Sequence, residues 1–286
     1  MLFATASLAA RIERAECQMA SDFAHAAKSR REDAFVAPVG GASAVFGGPD
    51  QPFNKLAGLG FAAALDEGEL SAVEREFDAR HAPLRVELSS LADPNVAPML
   101  ARRGYTLTGF ENVLGLELSR DETARIALDV DADRARGVTV DRMAADQKGS
   151  WIDVVVTGFA HPDVFDGPAS DESYPRETLE RVFADFSRVQ GLVGFLARRD
   201  GIVAGGGSLR ILDGIAQLCG AATLPEHRRR GVQSALLRAR LLDAAHNGCE
   251  LAVVTTQPGS KSQENVQRAG FTLLYTRAIL IRPAAG

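Results

Sequence analysis

Two stretches of this chain repeat one another at a fixed offset, and that repeat limits the folds open to it. Val86-Glu87-Leu88-Ser89-Ser90 is followed by Arg102-Arg103-Gly104-Tyr105-Thr106-Leu107, and Ala252-Val253-Val254-Thr255-Thr256 by Arg268-Ala269-Gly270-Phe271-Thr272-Leu273. Eighteen positions separate Val86 from Gly104, and the same number separates Ala252 from Gly270. Each copy reads as an apolar strand, a helix, a glycine that closes the helix, and a second strand. Two such copies imply tandem α/β domains. The length of 286 residues agrees, at ~150 residues per domain.

The pattern along the chain fills in the rest. Leu8, Ile12, Ala15 and Met19 recur at helical spacing, which predicts one amphipathic helix over residues 1–30. Glycine and proline between 38 and 52 mark turns around a short Ala-Val-Phe strand. A strand is expected over 56–64, then a helix through the stretch Asp-Glu-Gly-Glu-Leu-Ser, acidic at its start as the helix dipole prefers. A strand over 84–88 and a helix over 95–103 follow, closed by Gly104, and then another strand through Leu118. Residues 119–136 are charged with few large apolar side chains and read as a linker. Beyond it we expect a strand at 138–142, helices at 146–159 and 177–186, a hairpin over 192–212 and a strand over 215–223. A helix after Gly231, a strand at 251–256, a helix at 262–269 and a last strand at 272–281 complete the pattern. The expected division is therefore 1–118, a linker 119–136, and 137–286.

Residues 220–237, GAATLPEHRRRGVQSALL, carry the chemistry. An apolar strand ends before Pro225, which cannot continue a ladder. Gly231 allows close backbone approach at the turn into a helix, and the first helical turn leaves N–H groups unpaired. Those donors and the positive helix end suit a phosphate or diphosphate. Arg228, Arg229 and Arg230 stand at the same place, and three cations there oppose the helix dipole unless an anion offsets them. A solvated surface turn is the alternative.

TLPEHRRRGVQSALL resembles motif A of the GNAT superfamily of N-acetyltransferases, Q/R-x-x-G-x-G/A. Arg228 takes its first position and Gly231 its fourth, while Gln233 stands where glycine or alanine is usual. The resemblance runs from about 137 to 283, since residues 251–256 and Gln263-Glu264-Asn265-Val266-Gln267-Arg268-Ala269-Gly270-Phe271 follow in the family's order. It implies two acetyltransferase-like α/β domains, each a mixed, mostly antiparallel sheet flanked by helices. It also implies acetyl-coenzyme A as cosubstrate, with no metal. The diphosphate would lie on the amides of Arg229, Arg230, Gly231, Val232, Gln233 and Ser234, with Arg228 alongside. Leu218, Ala221, Ala222, Thr223 and Leu224 would form the pantetheine edge, and backbone N–H groups over 222–224 would stabilise the oxyanion. Ser262 and Asn265 would reach the pantetheine arm.

Departures from the family bear on mechanism. Val266 stands where many members carry a tyrosine acid, and the motif-A strand offers Gln217 and Cys219 where a glutamate base is common. In the loop HPDVFDG, His161 is a candidate base and Asp163 and Asp166 are candidates for holding a cationic amine, as is Glu172, which follows the loop with Tyr174. A polar turn explains the same residues. Cys219 in an apolar strand reads as a small buried hydrophobe, and Trp151 as core. At the position equivalent to Arg228–Gly231, the first repeat has Asp66, Glu67 and Glu69 nearby, which would repel a diphosphate. The N-terminal copy is thus expected to be a degenerate partner that extends the sheet or walls the acceptor cleft.

Composition narrows the function classes. With 46% hydrophobic and 24% charged residues the chain is not a disordered one. A net charge of −5 argues against a general nucleic-acid binder. The absence of a ~20-residue apolar run argues against a membrane span. Three dispersed cysteines form no disulfide framework and suit a cytoplasmic setting. The expected function is acetyl transfer to a primary amine of a small molecule or peptide, by direct attack, in a monomer or homodimer. A coenzyme A-binding sensor without turnover and an O-acetyltransferase are the rivals.

Overall fold

The computed structural model describes residues 2–49, 51–62, 64–162 and 174–284. Thr5 caps a long helix, α1 (Ala6–Lys28), by accepting from Leu8 N–H. The chain then forms β1 (Phe35–Val39), β2 (Ala42–Phe46), β3 (Lys55–Ala57), α2 (Glu67–Asp78), β4 (Leu84–Ser89), α3 (Val96–Arg102) and β5 (Thr106–Glu117). Next come α4 (Arg120–Ala135), β6 (Val138–Arg142), α5 (Lys148–Ala160), α6 (Arg176–Phe186), β7 (Leu192–Arg199), β8 (Ile202–Leu212) and β9 (Ile215–Thr223). The last elements are α7 (Val232–His246), β10 (Leu251–Thr256), α8 (Lys261–Arg268) and β11 (Thr272–Arg282).

All strands join one mixed sheet in the order β1-β2-β3-β4-β11-β5-β10-β9-β8-β7-β6, so the two expected sheets are a single continuous one. Among the described residues, only β3/β4 and β9/β10 run parallel. The last strands of the two repeats have changed places. β11 lies between β4 and β5, and β5 lies between β11 and β10. Glu111 is paired with Arg277 at the centre. The offset that carries Gly104 onto Gly270 also carries Glu111 onto Arg277, and the bulged Thr108 onto the bulged Leu274. A local two-fold axis therefore passes between Glu111 and Arg277.

Helices cover both faces. α1 crosses one face: Ala9 and Ile12 pack on Val113, Ile215, Leu251, Val253 and Tyr275, while Ala20 and Ala24 pack on Val45. α5 and α6 share that face, with Trp151, Val155, Phe183 and Phe186 meeting Met19 and Phe23 of α1. On the opposite face, α2 and α3 cover the first repeat and α4, α7 and α8 the second. Among the described residues, no helix is long and apolar enough to cross a membrane.

Two expectations change. Residues 119–136, expected as a linker, form a docked helix. Ser119 caps α4 by accepting from Glu122 N–H, Ile126 is buried with α7, and Asp133 pairs with Arg136 and Arg238. The charges that suggest a linker are thus helical ion pairs, Arg125 bridging Glu122 and Asp129. The strand expected over 56–64 is confined to β3, because Gly58 turns the chain at φ +88° against Cys17 of α1.

Under α1, where the exchanged strands cross, lies a buried ionic network. Lys55 Nζ donates to Glu16 at 2.7 Å and to Glu87 at 2.9 Å. Arg277 Nε donates to Glu13 at 2.8 Å, and its guanidinium lies 3.6–3.7 Å from Glu111 and Glu87. Arg85 reaches Glu87 at 3.4 Å and Glu111 at 3.2 Å, and Tyr275 donates to Glu13. Although burial works to raise Glu87, Lys55 and Arg85 beside it hold it down to about 2. Removing one charge strands its buried partners. Lys55→Met should therefore lower unfolding free energy by about 3–5 kcal/mol, read as a fall in the urea midpoint.

Candidate functional site

β9 and β10 pair only through Ile215, Ala216 and Gln217, opposite Leu251, Ala252 and Val253. Both strands then continue, β9 to Thr223 and β10 to Thr256, without further pairing to each other. The result is a V-shaped opening in the sheet whose walls are the backbone edges of 218–223 and 254–256. On its other side β9 stays bonded to β8, with a bulge at Gly220–Ala221 where Gly220 takes φ +55°. Leu224 N–H donates to Ala204 O at 3.0 Å, so it is not available to an oxyanion. Because backbone groups alternate sides along a strand, Thr223 N–H is the one directed to the opening.

The opening leads to the N-terminus of α7. There Arg229 lies at φ +57° and Gly231 at φ +83°, and helical Val232 follows. Thr5, Asp66, Ser119 and Ser260 cap α1, α2, α4 and α8 with their side chains, whereas Gly231 has none to give. The first-turn donors of α7 are thus left for an external acceptor. A Cβ built on Gly231 meets no atom within 4 Å, so the space over the turn is open. Gln233 does not fill it, since its side chain is folded back to accept from Thr223 Oγ1 at 3.3 Å. Val232 is buried, Ser234 exposed, and Arg229 and Arg230 extend into solvent. Arg228 turns inward, donating to Thr223 O at 3.4 Å and to His161 O.

The equivalent turn of the first repeat is closed. Asp66 accepts from Glu69 N–H at 2.8 Å, and Glu69 in turn accepts from Gly40 N–H at 2.8 Å. Carboxylates therefore occupy the end of α2 that α7 leaves open.

Other expected residues divide. Leu218 and Ala222 are buried, so they offer backbone to the opening. Ala221, Thr223 and Leu224 are half-buried along it. Ser262 is exposed and Asn265 half-buried on α8, whose cap is Ser260. His161 stands at the end of α5 with Nδ1 2.9 Å from Thr157 O. Tyr174 packs against the α5–α6 core, as do Leu224 and Cys219. Asp163, Asp166 and Glu172 lie outside the described residues. Val266 is core, and Trp151 is fully buried, donating to Gly207 O at 2.9 Å.

Two features escape a reading of the sequence. One is the tie from Arg228 to His161, sixty-seven positions away. The other is the wall formed by 254–256 and the exchanged β5, since nothing local signals which strand fills the centre of a sheet.

Residues 161–271 match the model of the acetyltransferase (GNAT) family. Over those residues the chain is similar to the GNAT acetyltransferases, which draw the acetyl group from acetyl-coenzyme A. No curated protein matches the sequence. Among solved structures, the fold is similar to a GCN5-related N-acetyltransferase from Kribbella flavida, at 20% identity, 97% coverage of this chain, 96% of that one and a TM-score of 0.64. It is also similar to a tandem GNAT protein from the clavulanic acid biosynthesis pathway, at 14% identity, coverages of 81% and 75% and a TM-score of 0.56. A GCN5-related N-acetyltransferase from Sphaerobacter thermophilus gives 12% identity, coverages of 76% and 67% and a TM-score of 0.52. At these identities the likeness is one of fold, and it extends over both repeats.

Cys219 Sγ lies 3.5 Å from Ser208 Oγ, and burial pushes its thiol up to about 11 against that hydrogen bond. Thiolate is the reactive form. At pH 8, iodoacetamide should alkylate Cys219 roughly 100-fold more slowly than in the unfolded chain, as its thiolate fraction dictates. Peptide mass spectrometry over time gives the comparison.

Proposed function

We propose that the second repeat, about 137–286, transfers an acetyl group from acetyl-coenzyme A to a primary amine by direct attack, and that the first, 1–118, binds no coenzyme. The observation that carries this is the uncapped α7 N-terminus at the mouth of the β9/β10 opening, a row of amide donors at a positive helix end. A diphosphate fits there. Amides over 229–234 would hold it, with Arg229 and Arg230 free to swing onto it. The pantetheine arm would pair with 218–224 and pass Ser262 and Asn265. Thr223 N–H is suited to receive charge developing on the thioester oxygen. His161 and Tyr174 border the amine side, and the 163–172 carboxylates are proposed to attract a cationic small molecule or peptide amine. The closed end of α2 supports coenzyme binding in one repeat alone. We place the reaction in the cytoplasm.

A coenzyme A sensor without turnover is the second reading, favoured by core Val266 in place of a tyrosine acid and by Gln217 and Cys219 in place of a glutamate base. Positioning of a deprotonated amine against the thioester is the answer to it, since orientation alone can supply much of a rate enhancement.

Calorimetric titration with acetyl-coenzyme A should give one site per chain. Gly231→Asp, which puts bulk and negative charge over the amide row at a left-handed position, should abolish that binding while leaving the circular dichroism unchanged. Two sites would overturn the closed reading of α2, and unaltered affinity in the variant would move the coenzyme elsewhere. Turnover with any amine in a panel separates the transferase from the sensor, and a hydroxyl acceptor preferred over all amines would select O-transfer.

A further inference from the structure

The ionic network under α1 has an unbalanced charge, and its balance points toward the opening. Among the described residues it gathers Glu13, Glu16, Glu87 and Glu111 against Lys55, Arg85 and Arg277. One negative charge is left over. Of the four carboxylates three are sealed: the side chains of Glu13, Glu16 and Glu87 are 1%, 9% and 3% exposed. Glu111 is 24% exposed. Of the four carboxylates Glu111 is therefore the one open to solvent.

Its position is set by the exchanged strand. Val113 pairs with Thr255, and Asn112 with Thr256, the last residue of β10. Glu111 is the next residue, just past that end, on the face carrying α1, where Thr255 is exposed. It stands two positions, ~7 Å, beyond Val113 and one strand spacing, ~5 Å, from the line of β10, whose other edge walls the opening. A carboxylate from the first repeat thus stands one strand beyond the β10 wall of the opening in the second.

We propose that Glu111 receives the acceptor ammonium and takes its proton, so that the first repeat contributes a reacting group to the second. This rests on the transferase reading above. The carboxylate accepts one proton from R–NH3+, leaving R–NH2. The amine nitrogen then bonds to the acetyl carbon as the carbon–sulfur bond breaks, and the electron pair departs on sulfur. The thiolate takes the second proton from the nitrogen, giving amide and thiol, and Glu111 returns its proton to water.

The surroundings support a base that works near neutrality. Burial and the neighbouring Glu87 raise Glu111 to about 7, against Arg277, Lys55 and Arg85. Burial also raises Glu13, whose Oε1 is already held by Tyr275 and Arg277. A base must be ionised to act, so kcat/KM should rise with pH through about 7.

The test is the pH profile of acetyl transfer to whichever amine of the panel turns over, in wild type, Glu111→Gln and Glu111→Asp. The glutamine variant should lose about 100-fold at pH 7 and lose the limb near 7, approaching wild type only as the free amine accumulates at high pH. The aspartate variant should recover part of the rate with a shifted limb, and acetyl-coenzyme A affinity should hold in both. A wild-type profile in Glu111→Gln overturns the proposal. If no amine turns over, the transferase reading fails on its own account, and ammonium binding is read separately by carboxyl 13C titration with butylamine. A carboxyl absent from Glu111→Gln that titrates near 7 and shifts with butylamine upholds the site. If that variant does not fold, a wild-type spectrum with no carboxyl titrating above about 5, or none responding to amine, overturns it.

Discussion

The exchange of β5 and β11 is the constraint on which the rest of the structure depends. Each repeat surrenders its last strand to the centre of the sheet, and each central strand is then bonded on both sides to strands of the opposite repeat, β5 to β10 and β11, and β11 to β4 and β5. Removing either strand would leave a gap in both halves, so the two repeats are joined by backbone ladders as well as by side-chain packing. The local two-fold explains why the bulges at Thr108 and Leu274 match: each relieves the same mismatch where one long strand runs against the other.

Burying charge at that crossing is costly, and the network under α1 shows how the cost is offset. Every cation there faces at least two carboxylates, drawn from α1, β4 and β5, so no element can shift without stranding a charge. Such an arrangement fixes register more than it adds stability. It holds α1 across the join and keeps Glu111 beside the end of β10.

The two parallel junctions, β3/β4 and β9/β10, show how equivalent geometry takes on different chemistry. Both lead from a strand into a helix. In the first repeat the helix end is satisfied by Asp66, and Glu69 holds the backbone of Gly40. In the second, Gly231 supplies a left-handed turn and no side chain, while Gln233 folds away onto Thr223. The difference between a closed helix end and an open one is one capping carboxylate against one glycine.

Much of this was legible in the chain itself. Local periodicity, caps and turn residues place nearly every helix and strand, because those depend on neighbours within a few positions. The repeat around Gly104 and Gly270 discloses the tandem design, and the proline, arginines and glycine before α7 mark the open, uncapped helix end. Residues 119–136 misled because charge density alone does not separate a solvated linker from a helix whose charges pair at three and four residues. What only the tertiary structure decided is pairing at long range. Strand order is set by which edges meet after the chain has folded, and nothing in Glu111 or Arg277 as isolated residues says that they lie opposite one another. The placement of a carboxylate from one repeat beside the end of a strand of the other is of that kind: it comes from a ladder of backbone bonds between segments more than a hundred residues apart, which no local spacing encodes.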